Sequence, residues 1–261
     1  MTLRHLPANG TDQTRVLINL DGNIQNFAGD AALGDIPVER AQPLREFFAW
    51  KHKRNYEGYW FSTTVGTHVP FESLLERQFL LSADFDPSIT AISAQPLGLL
   101  WPAGATTETP EGRTRTLRSH VPDFFCRHAG GDATLVDVRR PDAADDPHFH
   151  LTAELCAEIG WGYTVFTGLE SPTSETLDWL AGYRMDRYAP DTEVRGALLA
   201  VFDPETSLRA GVHAASRSTG LARDAILCNT LHLLFHGEVH FDPSQPLTME
   251  SPIRRHWEPT P

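Results

Sequence analysis

The stretch that most constrains this chain runs from His120 to Arg140 and has the pattern of a β-hairpin. Two runs rich in β-branched and aromatic residues, 120–125 and 134–140, flank a glycine-containing turn at 128–132. Strand residues two apart share a face, so Asp137 and Arg139 are predicted to project together, while Asp123 stands at the head of the first strand. Such a hairpin can hold two carboxylates and a cation near one point, as metal-assisted phosphodiester cleavage requires. The alternative is an ordinary hairpin whose polar residues face water.

Composition limits the classes of function. A chain of 261 residues, 41% of them hydrophobic, can bury a substantial core in one large domain or two small ones. A net charge of −12 is unfavourable for gripping DNA, although basic residues cluster locally, as at 51–54. Three widely spaced cysteines argue against a disulfide framework or a structural zinc site. We recognise no signal peptide or membrane span, so a cytoplasmic protein with no membrane partner is expected.

Changes of pattern along the chain predict three regions. Residues 1–45 are predicted to form an N-terminal arm, partly ordered and outside the core. Residues 46–168 are predicted to form an α/β domain, because a strand, a helix and a further strand make a crossover unit that adds parallel pairing to the antiparallel hairpin. The predicted elements of this domain are an amphipathic helix over 70–81, a strand over 89–101 interrupted at Gln95-Pro96, the central hairpin, a helix over 149–159 closed by Gly160, and a strand over 161–166.

The third region, residues 169–261, has a helical pattern. The spacing predicts a longer helix over 221–235 after a turn at 217–220, and then a short hairpin over 239–249. This order suggests a winged helix-turn-helix. Its expected recognition helix carries only Arg223 as a cation, so docking to a protein is an alternative to reading DNA. Earlier helices of this region are predicted near 175–185, 192–202 and 207–215.

Two acidic residues of the predicted helix over 70–81 are candidates for function. Glu72 and Glu76 are one turn apart on the same side of that helix. Both could be exposed helix carboxylates, and we accept that interpretation for Glu72. Glu76 is flanked by apolar neighbours and is the better functional candidate.

Taken in order, Glu76 on a helix, then Asp123 after a proline, then Asp137 and Arg139 resemble the restriction-endonuclease-like PD-(D/E)xK nucleases. The resemblance is closer to TnsA, the endonuclease subunit of heteromeric bacterial transposases. It covers about residues 60–170, and it implies a restriction-endonuclease-like mixed β-sheet core flanked by helices, plus a C-terminal winged-helix-like α domain. The segments that carry it are 71–77, 84–89, Gln95-Pro96 and 120–124.

The resemblance also implies a role for each site residue. Glu76, Asp123 and Asp137 would bind Mg²⁺ (or Mn²⁺), with the Val138 carbonyl completing the ligand shell; hard oxygen ligands suit these ions. Arg139 stands where the family usually has lysine. Its guanidinium stays charged and cannot accept a proton from water, but it can stabilise charge on phosphate.

The implied activity is hydrolysis of phosphodiester bonds at the 5′ ends of a transposon. The implied partners are double-stranded DNA, a DDE transposase subunit (TnsB-like) and an ATPase regulator, in a bacterial cytoplasm. Two other functions stay open: a catalytically weak or inactive nuclease fold that serves as a DNA-binding or transposase-docking module, and a stand-alone restriction or repair nuclease.

Overall fold

A computed structural model describes residue 3 and residues 5–45, 56–108, 112–143 and 146–255. The basic cluster at 51–54 lies outside these ranges. The chain divides into two compact units, one formed by Met1–Leu80 and Ser88–Gly168, the other by Leu81–Pro87 and Leu169–Pro261. Across the described residues the fold is mixed α/β, with six α-helices and several sheets. None of the helices described is both long and apolar enough to cross a membrane.

The first unit contains most of the strands. Its short 3₁₀ helices lie at Ala31–Asp35, Val38–Arg40 and Pro141–Ala143. Its strands are β1 Arg15–Leu20, β2 Asn23–Ala28, β3 Gly58–Ser62, β4 Thr67–Phe71, β5 Ile89–Ala94, β6 Leu97–Leu100, β7 Thr106–Glu108, β8 Thr114–Thr116, β9 Ser119–His120, β10 Phe124–His128, β11 Ala133–Val138 and β12 Gly162–Phe166. Its helices are α1 Leu74–Phe85, whose last residues belong to the second unit, and α2 Pro147–Ile159.

The prediction that residues 1–45 form an arm outside the core is wrong. β1 is an inner strand of a four-stranded sheet with the order β2-β1-β6-β9. Val16 and Ile18 are completely buried in the main hydrophobic core, because β1 is covered on both faces and therefore lacks the alternation of a half-buried strand. Asp21 and Gly22 join β1 to β2 with positive φ angles of 52° and 80°, the backbone that a two-residue hairpin turn requires.

The central hairpin and the crossover unit are confirmed. A second four-stranded sheet has the order β12-β11-β10-β5, in which β10 and β11 are antiparallel and β11 and β12 are parallel. The crossover between β11 and β12 is α2, which begins after the N-cap Asp146 and ends at Gly160 in the left-handed conformation. The core of this unit joins side chains from both four-stranded sheets and from α2, among them Phe125, Leu135 and Leu155.

The interruption at Gln95-Pro96 separates two sheets. β5 before it belongs to the second four-stranded sheet, and β6 after it belongs to the first. The predicted single strand over 89–101 is therefore two strands. Pro96 has no backbone N–H to donate to a strand ladder, so pairing is interrupted here, where the chain passes from one sheet to the other. Gln95 itself has a φ of 45°, in the left-handed region that few residues other than glycine adopt.

The second unit is mainly helical, as predicted. Helix α5 (Leu208–Thr219) packs against α4 (Thr192–Val201) and α6 (Arg223–Phe235). Gly220, in the left-handed conformation, ends α5 before the turn into α6. The predicted hairpin over 239–249 is wrong, because His240 instead forms an isolated antiparallel bridge with Arg254. The elements of this unit are α3 Thr173–Leu180, α4 Thr192–Val201, α5 Leu208–Thr219, α6 Arg223–Phe235, the 3₁₀ helices Ala181–Tyr183 and Asp186–Tyr188, and the paired strands β13 Thr206–Ser207 and β14 Pro252–Ile253.

Candidate functional site

The β10–β11 hairpin brings the two predicted aspartates together. Phe124 pairs with Val136, and the backbone N–H of Asp123 donates to the Val136 carbonyl at 2.9 Å. Asp123 directly precedes the Phe124–Val136 pair and Asp137 directly follows it, so both carboxylates lie at the same end of the hairpin. The Arg139 guanidinium lies 2.7 Å from Oδ2 of Asp123 and 3.5 Å from Oδ1 of Asp137, so the two carboxylates share a small volume here.

Asp123 is held at one oxygen by two donors. Its Oδ2 accepts a hydrogen bond from the Val138 backbone N–H at 2.7 Å and another from the Arg139 guanidinium, also at 2.7 Å. Burial raises the pKa of Asp123 above its usual value, the Arg139 charge opposes that rise, and the charge of Asp137 adds to it. The carboxyl is thus largely withdrawn from solvent and depends on its cationic neighbour.

Asp137 is completely buried, and its two oxygens differ in their hydrogen bonding. Oδ2 accepts hydrogen bonds from His120 Nε2–H at 2.8 Å and from the Tyr163 hydroxyl at 2.7 Å. No donor within the described residues makes a hydrogen bond to Oδ1. The guanidinium nitrogen of Arg139 lies 3.5 Å from Oδ1, too far for a good hydrogen bond. A buried carboxylate oxygen without a donor is costly and marks a place where a cation would be stabilised.

Arg139 lies against both aspartates. Besides Asp123, its guanidinium donates to the Val138 carbonyl at 2.6 Å, and it stands over the Phe149 ring at 5.5 Å from the centroid. Burial by itself lowers the pKa of Arg139, but the carboxylates of Asp123 and Asp137 outweigh burial and raise the pKa. The side chain is therefore a fixed positive charge at this site.

Glu76 belongs to a capping box at the start of α1. The Glu76 backbone N–H donates to Ser73 Oγ at 3.1 Å, and the Glu76 carboxylate accepts from the Ser73 hydroxyl at 2.9 Å and from the Glu72 backbone N–H at 2.8 Å. This local role is enough to explain a serine three residues before a glutamate. Burial, and then the negative charge of Asp123, raise the pKa of Glu76 to about 7. Glu76 therefore lies within electrostatic reach of Asp123.

Gln95 connects the start of α1 to the hairpin. Its backbone N–H donates to the Asp123 carbonyl at 2.8 Å, and its side-chain Nε2 donates weakly to a Glu72 carboxylate oxygen at 3.4 Å. The left-handed backbone of this buried residue is the kind of local strain that folded proteins retain at functional sites. Glu72 precedes α1, so the prediction that it is an exposed carboxylate within the helix is wrong.

Four ring-bearing residues near Asp137 were not assigned to the site by sequence reasoning: Tyr163 and His120 bind Asp137 directly, and His148 and Trp101 extend the contacts from His120. Tyr163 comes from the parallel strand β12; burial, and then the charge of Asp137, raise its pKa, so it stays a hydroxyl donor. His120 comes from β9, and its ring stacks on His148 with centroids 5.7 Å apart. Trp101 Nε1–H donates to His148 Nδ1 at 2.7 Å, which orients the His148 ring. The only sequence signal for them was a histidine three residues before Asp123; the partners of Tyr163 and His148 depend on distant strands.

The structure thus brings Asp123, Val138 and Arg139 into direct contact, places Oδ1 of Asp137 3.5 Å from the same guanidinium, and leaves Glu76 linked to Asp123 through charge. The carboxylates of Glu76, Asp123 and Asp137 and the Val138 carbonyl supply hard oxygen atoms, the ligand type that suits a divalent cation such as Mg²⁺. In the part of the chain that is described, no three His, Cys, Asp or Glu side chains are already arranged around a metal position. The Arg139 guanidinium provides the positive charge between the aspartates instead.

The chain matches no protein-family model, and it matches no curated protein.

Proposed function

We propose that this protein is a divalent-metal-dependent DNA endonuclease of the PD-(D/E)xK type, and more specifically a TnsA-like subunit that cuts the 5′ ends of a transposon. One observation carries the proposal: Asp123 and Asp137 lie at the same end of one hairpin beside a shared arginine, and a fully buried oxygen of Asp137 has no hydrogen-bond donor among the described residues. A structural ion pair would be expected to satisfy both oxygens of such a carboxylate.

Each site residue has a role in this proposal. Glu76, Asp123, Asp137 and the Val138 carbonyl would hold Mg²⁺ (or Mn²⁺). The bound metal would supply Lewis-acid activation of the scissile phosphate and would lower the pKa of the attacking water. Arg139 cannot accept a proton, but it can bind the phosphate oxygens and stabilise the negative charge that develops on them.

His120 and Tyr163 are positioning residues in the same proposal. Both bind Oδ2 of Asp137, so the carboxylate is held in one orientation with Oδ1 left for the metal. Groups that orient a ligand in this way commonly affect metal affinity and activity almost as strongly as the ligand itself.

The architecture and partners follow the same resemblance. We assign a restriction-endonuclease-like core to the mixed sheet of the first unit. We assign a winged-helix-like role to α5, α6 and the paired strands β13 and β14. The substrate is double-stranded DNA at transposon ends, the partners are a TnsB-like DDE transposase and an ATPase regulator, and the compartment is the bacterial cytoplasm. A net charge of −12 agrees with an enzyme that needs a partner to hold DNA.

A second function has one specific observation in its favour. The Arg139 guanidinium already pairs with Asp123 and lies near Asp137, as it would in a nuclease fold that has lost activity and serves as a DNA-binding or transposase-docking module. A stand-alone restriction or repair nuclease is a third candidate, on the same site chemistry.

Nicking of supercoiled plasmid DNA separates these functions. The purified protein, alone and mixed with the cognate transposase subunit, is incubated with Mn²⁺ or Mg²⁺, and nicked circles are quantified on a gel. We expect metal-dependent nicking that disappears in EDTA and in Asp123→Ala, with the circular dichroism spectrum of the variant unchanged. Equal nicking by Asp123→Ala would remove this residue from the site, and no nicking by the wild type with its partner present would favour the docking module.

A further inference from the structure

Arg139 uses the same oxygen atoms that the proposed metal site would use. One guanidinium nitrogen donates to Oδ2 of Asp123 at 2.7 Å and to the Val138 carbonyl at 2.6 Å. The other terminal nitrogen lies 3.5 Å from Oδ1 of Asp137. Three of the four proposed ligands are thus engaged by, or directed at, a single organic cation.

The guanidinium does not satisfy this set of oxygens. At 3.5 Å it leaves Oδ1 of Asp137 without a hydrogen bond from any residue that the structure describes, although this carboxylate is completely buried. A guanidinium is planar and its nitrogens are a fixed distance apart, so contact with Asp123 limits its approach to Asp137. A bare Mg²⁺ or Mn²⁺ ion is smaller and accepts oxygen ligands at about 2.1 Å, so it can draw both carboxylates inward.

The Arg139 side chain is also placed so that it can move out of the site. About a third of it (33%) is exposed, whereas the Asp137 side chain is not exposed at all. The guanidinium also lies over the face of the Phe149 ring, which a cation can leave without depriving a buried group of its hydrogen bond. The aspartates, in contrast, are held by Val138 N–H, His120 and Tyr163.

We propose that Arg139 is an internal counter-ion that stabilises the paired aspartates in the metal-free protein, and that a divalent metal ion binds by displacing it. The inference rests on the metal site proposed above and adds a competition to it. Two cations within a few ångströms in a poorly solvated pocket repel each other, so the metal and the guanidinium cannot both keep these ligands. Once displaced, the guanidinium stands beside the metal at the edge of the site, where a phosphate would approach.

Mn²⁺ titration without DNA tests the competition independently of catalysis. Affinity is measured by calorimetry for the wild type, Arg139→Met and Arg127→Met. Arg127 is a matched control because it pairs with Glu39 at 2.8 Å elsewhere in the same unit. We expect Arg139→Met to bind Mn²⁺ at least about tenfold tighter than the wild type. We expect no change for Arg127→Met, and loss of binding when Asp123→Asn is added to Arg139→Met.

The outcomes distinguish the inference from the function on which it rests. Binding by the wild type with equal or weaker binding by Arg139→Met would overturn the counter-ion role and leave the metal site in place. Absence of binding by the wild type and by Arg139→Met would overturn both.

The wild type itself provides a second measurement in case Arg139→Met fails to fold. With ¹⁵N-labelled arginine, the Arg139 side-chain resonance, assigned by comparison with Arg139→Lys, is followed during titration with diamagnetic Mg²⁺. Displacement predicts a large change for Arg139 and none for Arg127. An unchanged Arg139 resonance at saturating Mg²⁺ would contradict displacement.

Discussion

Each unit contains a pair of neighbouring ionisable side chains, and the two pairs differ in how their polar atoms are satisfied. In the second unit, His232 Nδ1–H donates to the Tyr183 carbonyl at 2.9 Å and His236 Nε2–H donates to the Arg184 carbonyl at 2.8 Å, with the ring centroids 4.3 Å apart. Burial lowers the pKa of His232, which keeps its ring neutral. In the first unit, Oδ1 of the buried Asp137 has no hydrogen bond from any described residue.

This difference separates a structural polar pair from a candidate site. Buried polar atoms that all have partners cost little and orient the elements that carry them, as the two histidines do between α6 and the chain at 183–184. A buried carboxylate that keeps one oxygen unpaired, beside a second carboxylate, lowers stability unless something else uses it. Pairs of the first kind are expected to affect folding alone, and pairs of the second kind are expected to affect metal binding and activity.

The largest effect is expected at Asp137. Replacing it with Asn keeps its shape but removes the charge that a metal requires, so metal-dependent plasmid nicking should fall at least about 1,000-fold. His232→Asn, the matched change in the second unit, should leave the nicking rate unchanged. Rates measured for both variants in the same assay check the comparison, and equal losses would erase the distinction between the two pairs.

Glu76 predicts a dependence of stability on pH. Its folded pKa of about 7 lies above the usual 4.5, so between pH 4.5 and 7 the unfolded chain releases its proton first and the free energy of unfolding falls as pH rises. Glu76→Gln removes this loss. The free energy of unfolding of the variant, relative to that of the metal-free wild type, should therefore increase by roughly 2 kcal/mol from pH 5 to pH 8. Urea unfolding at both pH values provides the measurement, and a difference that does not grow with pH would rule out a raised pKa.

His232 should affect the stability of the fold and not metal binding. Changing it to Ala removes a buried hydrogen bond and leaves a cavity, so the free energy of unfolding should fall by about 2 kcal/mol. His232→Asn, whose amide can still donate to the Tyr183 carbonyl, should lose less. Chemical denaturation measures stability, while Mn²⁺ affinity measured alongside should stay constant. A changed Mn²⁺ affinity would make the histidine pair part of the site.

The smallest effect is expected for Arg139→Lys. Lysine keeps the positive charge, restores the residue that the PD-(D/E)xK pattern usually has, and can also accept a proton if its pKa is lowered. The nicking rate should therefore be retained within about threefold or raised. A collapse of nicking, with the fold intact by circular dichroism, would show that the geometry of the guanidinium is essential.

Local patterns were enough for the hairpin and the helices. The alternating runs around 128–132 predicted β10 and β11, and hence that Asp123 and Asp137 come close together, because the register of a short hairpin depends on residues close in sequence. Asp21-Gly22 is an equally local turn signal, but the prediction of an N-terminal arm did not use it. The fully buried β1 has no alternation to mark it, so its place in the core depended on β2 and β6.

By itself, the sequence determined which side chains face each other across one hairpin, because two strands and a short turn leave little freedom. Only the tertiary structure decided that Tyr163, from a parallel strand reached through α2, and His120, from another sheet, would both bind the same oxygen of Asp137. The physical reason is that contacts between distant segments depend on how whole sheets pack, which no local spacing encodes. The unpaired oxygen of Asp137 is a product of that packing.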